Sequence, residues 1–168
     1  MFKYINNCEV PKEGFDVIYT KKDGTKIYVE MKNKHNTMNS SSSQKTYMRM
    51  LNKIASDNKA ECYLVEVIAK NSQNIVWKVS LDGERMENER IRRVSMDKFY
   101  EIVTGDKEAF YKICMELPKL IDEIIEENRE LQVGSDTVVN ELREKNPDLL
   151  KALYLLAFKE YEGFKNLE

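Results

Sequence analysis

The 168-residue sequence predicts an α/β fold, a mixed central sheet flanked by helices and followed by a helical C-terminal part. Three observations predict it. Two alternating segments, 15–19 and 26–31, flank Lys22-Asp23-Gly24 and read as a β-hairpin. Glu61 to Ala69 is β-branched and largely apolar, as expected of a central strand covered on both sides. From Ser95 onward the apolar spacing is helical.

The elements follow in order. After the hairpin, the polar stretch 33–43 holds four serines at 40–43, and Ser41 with Gln44 has the capping-box pattern that opens a helix. That helix, about 42–57, places Tyr47, Met50, Leu51, Ile54 and Ala55 on one face, with Lys45, Arg49 and Lys53 away from most of that stripe. Beyond the central strand, 71–74 is a turn, 75–79 a strand, 82–89 a polar loop and 90–94 a short basic segment. Ser95 or Asp97 caps a helix that Gly105 stops. The amphipathic stretch 106–128 contains Pro118, which predicts two helices or a kink. Ser135 caps a short helix. Asn146-Pro147 opens the last, whose stripe is Leu149, Leu150, Leu153, Leu156 and Ala157. Residues 1–128 are expected to form the core, and 129–168 a helical extension packed on the same domain.

Composition narrows the class. With 42% hydrophobic residues but no run of about 18 apolar ones, a transmembrane helix is excluded. Three cysteines without a CxxC pair argue against a disulfide framework or zinc site and for a reducing cytoplasm. The net charge of −2 hides an asymmetry. Residues 1–60 hold 11 Lys and Arg against 6 Asp and Glu, whereas 100–168 hold 9 against 16. A basic front and an acidic rear would orient the molecule on a polyanion, although charge also scatters unevenly by chance.

The hairpin carries the candidate chemistry. Side chains alternate along a strand, so Glu30 and Lys32 share one face while Val29 and Met31 take the other. The position of Asp16 depends on the turn. A two-residue Asp23-Gly24 turn pairs Asp16 with Met31 and separates the carboxylates. A three-residue loop with Gly24 left-handed pairs Lys21 with Thr25 and sets Asp16 across from Glu30. Two carboxylates about 5 Å apart repel unless a cation lies between them, and oxygen donors with open positions suit Mg²⁺. Lys32 would then stand where it can orient or deprotonate a water and balance charge on a phosphate. An ordinary charged strand face has the same composition.

Gly14-Phe15-Asp16, thirteen residues, then Glu30-Met31-Lys32 resembles the PD-(D/E)XK nuclease superfamily, with Phe15 in place of the proline. The stretch Val29 to Thr37, V-E-M-K-N-K-H-N-T, is similar to type II restriction endonucleases that cut GGNCC sites. The likeness covers the hairpin and, more loosely, the strand–helix order to about residue 125. It implies a restriction-endonuclease-like core and a Mg²⁺-dependent endonuclease. Such an enzyme would hydrolyse double-stranded DNA at a short palindromic site, as a homodimer in a bacterial restriction–modification system. Asp16, Glu30 and Lys32 would be catalytic, with Asp16, Glu30 and the Met31 backbone carbonyl holding the metal. Such enzymes usually have helices before the hairpin, one of which often adds an acidic residue. Here the hairpin starts near residue 15, and Glu9 and Glu13 are the nearby acids. Two alternatives stay open: an inactive or truncated nuclease-fold DNA-binding protein, and a structure-selective resolvase or repair nuclease.

Asn33, Lys34, His35, Asn36 and Thr37 are candidates for base or phosphate contacts where the chain leaves the sheet. His35, the single histidine, reads equally as a plain loop residue. Lys45 and Arg49 suit phosphates or a solvated helix face. Arg85, Arg90, Arg92 and Arg93 form a second basic cluster. Arg92 and Arg93 are its candidate base readers, and salt bridges to Glu84, Glu87 and Glu89 are the alternative. Trp77 reads as core.

Overall fold

The computed structural model describes residues 2–35, 37–127 and 149–166, so Asn36, the helix expected after Ser135 and the Asn146-Pro147 cap lie outside the described residues. The chain forms two compact units, Met1–Lys107 and Glu108–Glu168.

The first unit is built around a six-stranded mixed sheet. In chain order its strands are β1 (Cys8–Glu9), β2 (Val17–Thr20), β3 (Lys26–Lys34), β4 (Ala60–Ile68), β5 (Asn74–Leu81) and β6 (Glu84–Ser95). Their spatial order is β1-β2-β3-β4-β6-β5. Helix α1 (Ser40–Ser56) joins β3 to β4, which run parallel, and β4 is also parallel to β6. β4 therefore lies in the middle, as its apolar composition predicts.

The two faces of the sheet have different covers. Tyr47, Met50 and Ile54 of α1 are buried against Tyr28, Cys62, Leu64, Trp77 and Ile91. Burying Met50 and Ile54 stabilises the fold by about 1.5–3 kcal/mol each. The opposite face, with Val29, Tyr63, Val65 and Val94, meets helix α2 (Met96–Thr104), which packs on β4 and β6. Trp77 is core, its ring edge-on to Tyr47 at 5.4 Å.

Three local expectations need correction. The cap of α1 is Asn39, whose side chain accepts from the Ser42 N–H at 2.8 Å, so Ser40–Ser43 form the first helical turn and Ser41 is not the cap. The stretch 82–89 is not a loop. Asp82 and Gly83, with φ of 50° and 87°, make a two-residue hairpin turn, and the strand β6 starts at Glu84. Its period-2 exposure is hidden in the sequence because charged residues occupy both faces and Met86 is the one apolar residue there. Finally, helix α3 (Ala109–Glu127) runs through Pro118 as one helix, so of the two alternatives, two helices or a kink, the break into two is excluded.

The second unit packs aromatic rings from α3 and from α4 (Leu149–Phe158) with the turn that follows α4. Phe110 meets Phe158 at 5.0 Å and Phe164 at 6.0 Å, and the Tyr154 hydroxyl donates to the Cys114 carbonyl at 2.8 Å. Gly163 has φ of 87°, and a Cβ there would lie 2.7 Å from the Tyr111 ring, so this turn requires glycine. No helix among the described residues is long and apolar enough to cross a membrane.

Candidate active site

The hairpin turn decides the site. The Lys21 N–H donates to the Thr25 carbonyl at 2.8 Å, which closes a three-residue loop, and Gly24 takes φ of 82°. Val17 consequently pairs with Val29, and one more step along that register sets Asp16 across from Glu30. Asp16 leaves the ladder there. Its N–H still donates to the Val29 carbonyl at 2.9 Å, while its Oδ2 accepts from the Met31 N–H at 2.7 Å. The side chain thus takes the place that a β2 carbonyl would occupy. The N–H and C=O of one strand residue point to the same edge, so the Met31 carbonyl also faces the Asp16 side of β3.

Glu30 and Lys32 share the α1 face, as alternation requires. Glu30 Oε1 accepts from Lys32 Nζ at 2.8 Å, and Oε2 is paired with the Arg49 guanidinium. The Glu30 side chain is 13% exposed against 43% for Arg49, so the acid lies inside and the guanidinium at the rim. Arg49 also stands 4.7 Å above the Phe15 ring, next in sequence to Asp16. One helical turn on, Lys53 Nζ lies 4.3 Å from the centre of the Tyr28 ring. Lys45, Arg49 and Lys53, spaced at i, i+4 and i+8, therefore form a basic edge of α1 along the hairpin.

Sequence reasoning missed Glu66. This β4 residue pairs in register with Lys32, is 2% exposed and binds Arg93 through Oε1 at 2.6 Å. The same Arg93 nitrogen donates to the His35 carbonyl at 2.9 Å. A buried carboxylate needs such a cation, and a lone glutamate amid the apolar residues of 62–69 was the signal that could have found it.

The remaining candidates separate. Lys34, His35 and Thr37 are exposed at the exit of β3, with the Thr37 hydroxyl bound to the Lys34 carbonyl at 2.9 Å. Asn33 is exposed and, by alternation, lies on the face opposite Glu30. Arg92 points to the face opposite Arg93, where its guanidinium donates to the side chain and carbonyl of Asn74 at 2.6 and 2.8 Å. Arg85 pairs with Glu87 at 3.5 Å. Lys45 is exposed.

The donors gathered on the hairpin are all oxygens, namely two carboxylates and the Met31 carbonyl. Among the described residues no group of three or more His, Cys, Asp and Glu comes together, and Glu9 and Glu13 remain exposed. Such a sparse oxygen set fits a hard divalent ion that keeps most of its water.

The chain is similar to the type II restriction enzyme Sau96I of Staphylococcus aureus, 32% identical over 124 residues that make up 69% of this chain and 47% of that protein. It thus spans about half the length of the curated relative it matches. No solved structure matches. Residues 1–126, which contain the whole sheet and the hairpin, match the model of the Eco47II restriction endonucleases, and the chain belongs to that family.

Proposed function

We propose that the protein is a Mg²⁺-dependent type II restriction endonuclease that hydrolyses double-stranded DNA at a short palindromic site, GGNCC-like, and acts as a homodimer in the cytoplasm. The observation that carries this reading is the Asp16 carboxylate seated on the Met31 N–H opposite Glu30, with Lys32 bonded to Glu30. Family membership and the likeness to a type II restriction enzyme support it.

Asp16, Glu30 and the Met31 carbonyl would hold the cation, which supplies charge stabilisation for the reacting phosphate and a more acidic water. Lys32 Nζ, steadied 2.8 Å from Glu30, donates to that water or to a non-bridging phosphate oxygen. The exposed residues Lys34, His35 and Thr37, with Asn33 beside them, reach for bases and phosphates, and Lys45 for the backbone. Arg93 braces that exit through its bond to the His35 carbonyl.

A plasmid-cleavage assay tests the reading. Discrete fragments are expected with Mg²⁺, none with Ca²⁺, and none from Lys32→Ala. DNA binding without cleavage by the unaltered protein would identify an inactive relative. Cutting confined to branched DNA would identify a structure-selective nuclease.

A further inference from the structure

Each oxygen of Glu30 already faces a cation, so a divalent ion that arrives at this carboxylate meets two positive charges, and its binding favours release of one of them. The two partners differ. Lys32 sits two residues away on the same strand, its side chain 30% exposed and its backbone paired with Glu66 of β4. Arg49 reaches in from α1 on a long side chain that is 43% exposed, and among the described residues Glu30 is its one hydrogen-bond acceptor. Four of its five guanidinium donors are therefore uncommitted within the described protein. Its guanidinium carbon lies 4.7 Å over the Phe15 ring, a contact that does not depend on which acceptor its nitrogens meet.

We infer that Arg49 is an exchangeable counter-cation of the site. It holds Glu30 when no divalent ion is present, and when one binds it turns on the Phe15 ring toward a backbone phosphate of the DNA. The inference rests on the nuclease reading and adds to it a role for one residue. A dication at Glu30 and Asp16 repels the guanidinium, while a phosphate brought to that ion attracts it, so both events drive the same exchange. The fork of a guanidinium matches two phosphate oxygens, which a lysine at this position would not. Lys45 and Lys53, on the same edge of α1, extend the positive track that would receive the backbone.

The test compares the full chain with Arg49→Ala and Arg49→Lys, using Ca²⁺ alone and Ca²⁺ with a short DNA duplex. In titration calorimetry Arg49→Ala binds Ca²⁺ about three- to tenfold more tightly than the unaltered protein, because one competitor for Glu30 is gone. Its affinity for the duplex in Ca²⁺ falls about tenfold, and the slope of log affinity against log salt decreases by about one. Arg49→Lys keeps the salt slope but recovers only part of the affinity. Thermal melting gives an independent readout: Arg49→Ala melts below the unaltered protein in chelator, and Ca²⁺ closes that gap.

Unchanged or weaker Ca²⁺ binding by Arg49→Ala, with unchanged duplex affinity, would overturn the exchange and leave a plain surface ion pair. The nuclease reading would survive that result. Failure of the unaltered protein to bind Ca²⁺ at all would overturn both.

Discussion

Glu30 and Asp97 are carboxylates near the same end of the parallel strands, and they are held in opposite ways. Glu30 is partly exposed and is flanked by two cations, Lys32 and Arg49, which come from a strand and a helix. Asp97, in the first turn of α2, is 1% exposed and accepts hydrogen bonds from the hydroxyls of Ser72 and Ser95. The Gln73 N–H donates to Ser95 Oγ at 2.9 Å, so this second cluster ties the β4–β5 turn to the start of α2. The difference teaches what each acid is able to do. A carboxylate balanced by cations that water can also solvate can trade one cation for another. A carboxylate shut away from water and held by hydroxyls from two segments acts as a fastener.

The contrast can be broken by substitution. Lys32→Ala should lower plasmid cleavage about a thousandfold or more. Its urea stability should stay within about 1 kcal/mol of the unaltered protein, since the pair with Glu30 is partly exposed. Cleavage at an undiminished rate would make the Glu30–Lys32 pair a surface detail. Asp97→Ala should do the reverse. Loss of a buried acceptor takes one partner from Ser72 and leaves Ser95 only its bonds to Gln73, and should cost about 2–3 kcal/mol in urea unfolding, with Ca²⁺ binding retained. If stability is unchanged, Asp97 is not a fastener.

Glu66→Ala tests an intermediate case. Glu66 is buried, but its partner Arg93 is 30% exposed and water partly rescues it, so about 1–2 kcal/mol should be lost. The bond from Arg93 to the His35 carbonyl should loosen too, and hydrogen exchange at 33–37 would report it.

The smallest expected effect is a silence. Cys62 lies beneath α1 with its Sγ 3.6 Å from the Met50 carbonyl, and burial pushes its thiol up to about 12. Because the native value is raised, Cys62 has no effect on stability below the ordinary thiol value of 9.0. Stability then declines above it, as the unfolded chain ionises first. Iodoacetamide at about pH 8 should label Cys8 ahead of Cys62. Adding Ca²⁺ should leave the Cys62 rate unchanged if Arg49 moves alone. A faster rate would mean that α1 itself lifts off the sheet.

Much of this was legible in the residues. The hairpin, the central strand, α1 and α2 announce themselves by period, and α2 also by its Gly105 stop, whereas the cap of α1 lies at Asn39 and not at Ser41. Gly24 in the third loop position favoured the register that sets Asp16 across from Glu30, because only a left-handed residue closes that loop. The strand at 84–95 was illegible over its first six residues, where charge covers both sides and Met86 alone is apolar. The adjacent arginines Arg92 and Arg93 look like one patch in sequence, yet alternation along β6 sends them to opposite faces.

By itself the sequence determined which residues share a strand and a face, because backbone geometry repeats every two or 3.6 residues and needs only neighbours. It also determined the family, through residues clustered within a few turns of chain. Only the tertiary structure decided who balances whom. The pairing of Glu30 with Arg49 from α1, and of Glu66 with Arg93 two strands of chain later, depends on how distant segments pack. Charge compensation acts through space and falls off with distance in ångströms, a quantity that position along the chain does not encode.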